Sequence, residues 1–359
     1  MEIWLVTYGP GEVSWQRFGH NAIWVRDEAT GLDHVFNFGF FDFEQEAFYR
    51  RFLQGKLLYF SAAQPAQQEF SQYINENRSI RAQRLILSED QSLKLAEYLL
   101  VEIRPENRDY LYDYFTNNCS TRIRDALDLA LDGALSGAFS DQAAQQNWRD
   151  HTRRLTAADF WLYLGLELGL GSPIDHGISR WEEFFIPSEL AAAVADFEIG
   201  GRAGRRALVA EDVMLYESSL EPPPLKPVAW WPRYLLLSSL VLGVAWLICR
   251  LLPAVSAFGL VRGWLLLSAL AGGILVYFWF FTDHLAARNN LNLLLLNPLW
   301  LLFVFWNQPR LVAWLLMATS GLAGIAALIP GGQYNLDAAA MILPLNIAAA
   351  LVLLKTGRD

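Results

Sequence analysis

From Trp230 onward the chain holds five long runs that carry almost no charge, at roughly 233–252, 263–282, 292–306, 311–329 and 338–354. A helix needs about 20 apolar residues to cross the hydrocarbon core of a bilayer, and each run is near that length. The third run is the shortest, and "NQPR" after it leaves little room to turn. Residues 1–228 are different in kind: they mix charged and apolar positions and hold nearly all the acids. The expected organisation is an α+β domain over residues 1–220, a stiff proline-rich linker over 221–232 containing "EPPPLKP", and an all-α transmembrane domain of about five helices over 233–359. A chain that is 53% hydrophobic with 14 tryptophans fits a membrane protein, and a net charge of −9 without a basic cluster argues against nucleic acid as a partner.

The loop charges give the chain a direction. With the N-terminal domain outside, the inside loops hold Arg250, Arg262, Arg310, Lys355 and Arg358, and the outside holds Arg288, with Arg233 at the first boundary. This is the positive-inside pattern. It predicts a multi-pass protein of the bacterial inner membrane, with its N-terminal domain in the periplasm and its C-terminus in the cytoplasm. An exported domain needs a signal, and "MEIWLVTYGPG" has neither a basic n-region nor an apolar h-region, so the sequence is expected to lack a native leader. The outside loop "TDHLAARNNLN" sets Asp283, His284, Asn289, Asn290 and Asn292 at the membrane edge. Polar groups there are costly unless they face protein or a water-filled cavity. The loop is either solvated or part of a site shared with the N-terminal domain, which makes His284, Asn290 and Asn292 candidates.

Within residues 1–220, "IWLVTYG", "HNAIWVRD", "HVFNFGFFDF", "LLYFSAAQ", "SIRAQRLILS" and "ALVAEDVMLYES" read as strands. Helical spacing runs through "EQEAFYRRFLQGK", "PAQQEFSQYINEN", "SEDQSLKLAEYLLVEI", the stretch from Thr121 to Ala134, "AADFWLYLGLELGLG" and the residues from Ser188. Ser88 is a natural cap for its helix.

Cys119 and Cys249 are the two cysteines, and Cys249 lies inside an apolar run, so no disulfide framework exists. Cys119 is then a lone thiol at the start of a helix, in "FTNNCSTRIRDAL". A helix N-terminus favours a thiolate, and its free N–H groups can stabilise an oxyanion. Such a thiol needs a base. His20, at the start of an alternating strand, is the first candidate and His34 the second; His151 in "RDHTRR" reads as solvated, and His176 sits in a loop beside Asp175, which suits binding or structure as well as catalysis. Asn37 could orient the base if the strands carrying it and His20 pair, and Asn118 is the alternative. No close ligand spacing points to a metal, and no glycine-rich phosphate loop or GxSxG elbow is present, so neither metal nor cofactor is expected.

A histidine opening a strand, followed much later by an "NC" pair opening a helix, resembles the permuted papain-like fold of lecithin retinol acyltransferase and its relatives. The segments "TYGPGEVSWQRFGHNAIWV", "HVFNFGFFDF", "RFLQGKLLYF", "FTNNCSTRIRDAL" and "DHGISRWEEFFIP", with the membrane-side "TDHLAARNNLNLLLLNPLW", resemble the Lnb-type lipoprotein N-acyltransferases more closely. The resemblance covers most of the chain, and "FGH" and "NNCSTR" are its most specific pieces. It implies that Cys119 accepts the acyl chain and His20 is its base. It also implies the partners: a phospholipid donor and a diacylated lipoprotein, whose N-terminal diacylglyceryl cysteine gains a third acyl chain on its α-amino group. The residues themselves supply a thiol–imidazole pair on a membrane-anchored domain. On that reading alone a cysteine hydrolase (lipase or peptidase) and a non-catalytic lipoprotein-binding protein stay open.

Overall fold

The computed structural model describes residues 1–201, 204–252, 256–304, 308–329 and 332–356. The chain divides into two compact units, Met1–Ala158 with Gly177–Leu225, and Asp159–His176 with Lys226–Asp359. The segment Asp159–His176, which the sequence reading runs into the N-terminal domain, belongs to the second unit.

The first unit is built on an antiparallel sheet. Its strands are β1 (Glu2–Tyr8), β2 (His20–Asp27), β3 (Leu32–Phe40), β4 (Leu58–Pro65), β5 (Ile80–Leu85) and β6 (Asp109–Leu111). A two-stranded ribbon, β7 (Glu198–Gly201) and β8 (Gly204–Ala207), precedes the last sheet strand, β9 (Val209–Tyr216), and the sheet order is β6-β4-β3-β2-β1-β5-β9. The helices of this unit are α1 (Phe48–Gln54), α2 (Ala66–Asn75), α3 (Glu89–Glu102), α4 (Cys119–Ala130), α5 (Ala134–Phe139) and α6 (Trp148–Thr156), then, after α7 of the second unit, α8 (Arg180–Glu183) and α9 (Pro187–Ala195).

The interior strand β1 is buried on both faces, which is why it reads as a near-continuous apolar run. Ile3 and Leu5 point to one side with Ile23, Val25, Phe36 and Phe38, where they meet Leu95 and Leu99 of α3, Ile123 and Leu127 of α4, and Leu190 and Val194 of α9. Val6 and Tyr8 point to the other side with Ala22, Val35 and Ile80, under Ala66, Phe70 and Tyr73 of α2. Each such side chain, fully buried, contributes roughly 1.5–3 kcal/mol, so the sheet is held from both sides and its ends are rigid places to mount chemistry.

α6 departs from expectation. Its charged run is buried, not solvated: His151 is fully enclosed, with Nε2 2.9 Å from Glu183 Oε1 and Nδ1 accepting from Arg154 Nε at 3.0 Å. Arg154 also pairs with Glu189, and Arg180 with Glu183. Buried charges of this kind persist only when paired, and here each has its partner.

The second unit contains α7 (Phe160–Gly169), α10 (Trp231–Leu251), α11 (Ala257–Phe280), the short α12 (Trp300–Val304), α13 (Pro309–Ala326) and α14 (Leu336–Thr356). Among the described residues, α10, α11, α13 and α14 are long and apolar enough to cross a membrane. Four of the five apolar runs form such helices; the third, 292–306, holds most of the 3-10 turn Leu291–Leu294 and α12, and its residues 305–306 lie outside the described residues. The cause is local. "NNLNLLLLNP" carries asparagines that bond the backbone in place of helix neighbours, as Asn290 Oδ1 does with the Asn292 N–H at 2.9 Å, and Pro298 lacks a donor.

This broken stretch still passes through the thickness of the bundle. One apolar cluster joins Val261 and Leu265 of α11 to Val312 and Leu316 of α13 and Ala350 and Leu353 of α14; a second joins Leu275, Ala323, Ala338 and Ile342 of the same three helices. Thus α11 and α13 run one way and α14 the other. Leu295 and Leu296 belong to the cluster at the Leu275 end, and Trp300 to the cluster at the Val261 end. The chain leaves α11 at one end and enters α13 at the other, so the segment between them makes the return passage. Its backbone lies directly on α11 at Gly272, where a Cβ would come within 2.3 Å of the Leu296 carbonyl oxygen. Asn346 of α14 donates to the Leu295 carbonyl at 3.1 Å. Irregular backbone at this depth is tolerable because protein groups cover it.

Candidate active site

α4 begins at Cys119, two residues before the start expected from the sequence. Asn118 is its cap: Oδ1 accepts from the Thr121 N–H at 2.9 Å, and Thr121 Oγ1 accepts from the Asn118 N–H at 2.8 Å. The other end of the Asn118 amide donates to the carbonyls of Tyr114 and Phe185. Its side chain is therefore fully used in fixing the helix start. Ser120 ties that start to β2, with Oγ 2.8 Å from Asn21 Oδ1 and 2.6 Å from the Phe184 carbonyl oxygen.

This brings Cys119 to the chain next to His20. The thiol sits in hydrogen-bonding reach of the backbone N–H groups of Asn21, Ser120 and Cys119 itself. Room for it comes from Gly39, whose φ of +99° is a conformation that side chains disfavour and where a Cβ would lie 3.3 Å from Cys119 Cβ. Cys119 is 8% exposed, and burial pushes its thiol up to about 11, against the pull of the three N–H groups and of Arg78.

His20 opens β2 opposite Tyr8. Its Nε2 lies 2.9 Å from Asn37 Oδ1. The orientation of Asn37 is fixed by its other end, because Nδ2 donates to Glu69 Oε2 at 2.6 Å and to the Val35 carbonyl at 3.3 Å. Asn37 Oδ1 can then only accept, so neutral His20 carries its proton on Nε2 and leaves Nδ1 bare. Behind Asn37, Glu69 accepts from the Tyr8 hydroxyl at 2.7 Å. The result is a chain His20–Asn37–Glu69–Tyr8 that crosses three strands and α2. Burial pushes the imidazole down to about 4 and, despite bonds from Tyr8 and Asn37, lifts the Glu69 carboxyl to about 7. The resting site is thus a neutral thiol beside a neutral imidazole.

Tyrosines line the surroundings. The Tyr8 and Tyr73 rings stack 3.5 Å apart, Tyr59 stacks on Tyr112 at 4.2 Å, and the Arg78 guanidinium lies over Tyr73 at 4.6 Å while its Nε donates to the Gly9 carbonyl. The charge of Arg78 acts on both members of the pair, favouring the thiolate and disfavouring the imidazolium.

Among the candidates from the sequence, Cys119, His20, Asn37 and Asn118 gather here. His34 lies on β3 three residues from Asn37 and so on the opposite face of the sheet. Asp175, His284, Asn290 and Asn292 belong to the second unit. Asp175 Oδ1 accepts from the Tyr334 N–H at 3.1 Å, and His284 precedes a 3-10 turn with its ring 5.5 Å from that of Phe278. Asn290 donates to the carbonyls of Leu168 and Gly169, and Asn292 to those of Glu167 and Leu168, so the two asparagines satisfy the open C-terminal turn of α7. Tyr8, Glu69 and Arg78 escaped the sequence reading. Glu69 had a signal: with Ala66, Phe70 and Tyr73 it falls on the i, i+3, i+4, i+7 row that α2 turns inward, where an acid is out of place. Among the described residues no group of three or more His, Cys, Asp or Glu side chains is arranged to hold a metal ion.

No curated protein and no solved structure matches the chain. A family model does, over residues 1–155, a span that contains every member of the Cys119, His20, Asn37, Glu69 and Tyr8 set. The chain therefore carries an Lnb N-terminal periplasmic domain, the family that its sequence segments resemble.

Proposed function

We propose that the chain is a lipoprotein N-acyltransferase that carries an acyl chain as a thioester on Cys119. The acyl chain comes from a glycerolipid and goes to the α-amino group of the N-terminal diacylglyceryl cysteine of a lipoprotein. The observation that supports this most directly is the tautomer fixed by Asn37: His20 offers a bare Nδ1 as base beside a thiol ringed by backbone N–H groups. As Sγ attacks the ester carbonyl, Nδ1 takes the thiol proton. The oxyanion is met by the N–H groups around Cys119, and collapse expels the lyso-lipid alkoxide, which takes the proton from Nδ1. The lipoprotein amine then attacks the thioester, gives its proton to Nδ1, and the thiol leaves reprotonated. Because thiol and imidazole rest neutral, the proton moves with the attack and not before it.

The protein is a membrane protein with a periplasmic N-terminal domain, which sets this chemistry where lipid substrates are found. We place it in the inner membrane with the C-terminus in the cytoplasm. The broken passage after α11 supports this, since it makes five passages in all and sets the end of α14 opposite the start of α10, as the loop charges require. A reporter active only in the cytoplasm should work when fused after the C-terminus; one active only in the periplasm working there instead would sink the topology.

Intact mass spectrometry after incubation with phospholipid tests the chemistry. The parent should gain the mass of one acyl chain, removable by neutral hydroxylamine, and Cys119→Ser and His20→Ala should not. A diacylated lipopeptide should then discharge the adduct. Fatty acid released without any amine acceptor would make the protein a hydrolase. Neither adduct nor fatty acid would leave Cys119 without a catalytic role.

A further inference from the structure

A connected platform of aromatic side chains stands open beside the site. Trp15, in the 3-10 turn Ser14–Gln16 just before His20, meets Phe41 and Phe43, each at 6.1 Å between ring centres. Phe43 continues to Phe48 at 5.1 Å, and Phe48 to Tyr49 and Phe52 on α1. In a folded chain such rings are normally covered, yet Trp15 is 61% exposed, Phe43 52% and Tyr49 73%, with the aliphatic Leu53 beside them 50% exposed. The platform reaches the thiol through a short series of contacts: Phe41 packs on Tyr59, and Tyr59 stacks on Tyr112, whose ring borders the space Gly39 leaves for Cys119.

We propose that this platform is a membrane-docking surface, seated at the boundary between headgroups and acyl chains, with the Cys119–His20 site opening beside it. Trp, Tyr and Phe are the side chains that settle at that boundary, where a ring is buried and a polar edge stays wet. Arg50 and Lys56 are exposed on and beside α1 and suit phosphate groups. Asp42, Glu44 and Glu46 are exposed just before α1, so the apolar rings and not net charge supply the attraction. A lipid surface is favoured over a protein partner because the same chain carries four helices long and apolar enough to cross a membrane, which would tether this domain to a bilayer. The contact deepens the acyl-transfer reading by naming the phase from which the substrate ester arrives. It rests on that reading for the identity of the substrate, but not for the docking itself.

The test uses the full chain in nanodiscs of phosphatidylethanolamine with a minority of phosphatidylglycerol. Spin labels go singly on Phe43→Cys and Tyr49→Cys, and on Leu93→Cys of α3 as an exposed control, with Cys119 and Cys249 replaced by serine. The replacement of Cys119 makes the readout independent of catalysis. Labels at 43 and 49 should relax strongly with oxygen and weakly with an aqueous nickel complex, the reverse of the label at 93. Equal exposure to nickel at all three positions would overturn the proposal. Shielding from both reagents at 43 and 49 would also overturn it, because it would show the platform covered by protein. In the catalytic background, Trp15→Ser with Tyr49→Ser should raise KM several-fold for vesicle substrate and leave kcat near the parent value.

Discussion

The role assigned to Asn37 can be tested by removing it in two ways. In Asn37→Ala, the Nε2–H of His20 loses its acceptor at 2.9 Å and Glu69 loses a donor at 2.6 Å. A neutral hydrogen bond is worth about 1 kcal/mol net, and a buried donor left unmet costs about 1–3 kcal/mol. With about 1.4 kcal/mol per factor of ten, the share of His20 held with Nδ1 bare should fall about 10- to 100-fold, and the rate of thioester formation with it. Asn37→Asp separates this cause from mere loss of packing. Its carboxylate would still accept from His20, and Glu69, already lifted to about 7, would keep a proton and donate it to the new neighbour. The Asp variant should therefore run much faster than the Ala variant in mildly acidic solution and lose that advantage as Glu69 ionises. Single-turnover acylation followed by intact mass across pH measures both. An Ala variant at the parent rate, or Ala and Asp variants equally slow at every pH, would refute the positioning argument.

Two further predictions concern stability. Burial holds His20 at about 4, so between about pH 6.5 and 4 the unfolded chain takes up a proton that the folded chain refuses, and stability falls on acidification by on the order of 3 kcal/mol. Glu69 works in the opposite sense: its carboxyl is held at about 7, so its contribution is full below about pH 4.5 and is lost, by a similar amount, as the pH rises through 7. The two slopes oppose each other in the overlap. Chemical denaturation should find the parent nearly flat there, His20→Gln losing stability as pH rises and Glu69→Gln gaining it; parallel curves for all three would disprove the shifts. In the helical unit, Gly272→Val forces a side chain onto the Leu296 carbonyl, which has no room to move without parting the broken passage from α11. It should lower thermal stability in detergent markedly, whereas Gly273→Val, next to open space, should not.

The legible part of the site was the part fixed by local rules. The helix carrying Cys119 is plain in its spacing, though Asn118, a candidate orienter of the base, proves to be the cap, and His20 and Asn37 sit on strands whose alternation and turn imply pairing, with the register Ala22 against Asn37 bringing their ends together. Glu69 and Tyr8 come from a helix and a strand 61 positions apart, and no local rule joins them. His151 looked solvated because its neighbours are charged, and only the partners supplied from α8 and α9, Glu183 for His151 and Glu189 for Arg154, offset the cost of burying them. The helix "FWLYLGLELG" is apolar all round, which suits a buried soluble helix and a membrane-associated one equally; its place in the second unit follows from the asparagines that close its end. Hydropathy overcounted the spanning helices because it sums side chains and ignores the backbone, and the backbone is where the third run fails.

That third run has a consequence for how the protein is made. A translocation channel releases a segment sideways into lipid when its side chains and its internally bonded backbone are both at ease there. The leucines of that run favour lipid, but its backbone does not meet the second condition, since the carbonyl of Leu295 depends on Asn346, a residue synthesised some fifty positions later. The stretch therefore has to wait, at the channel or the membrane surface, until α14 has emerged. The packing of the third passage is then complete only once the last helix has been made.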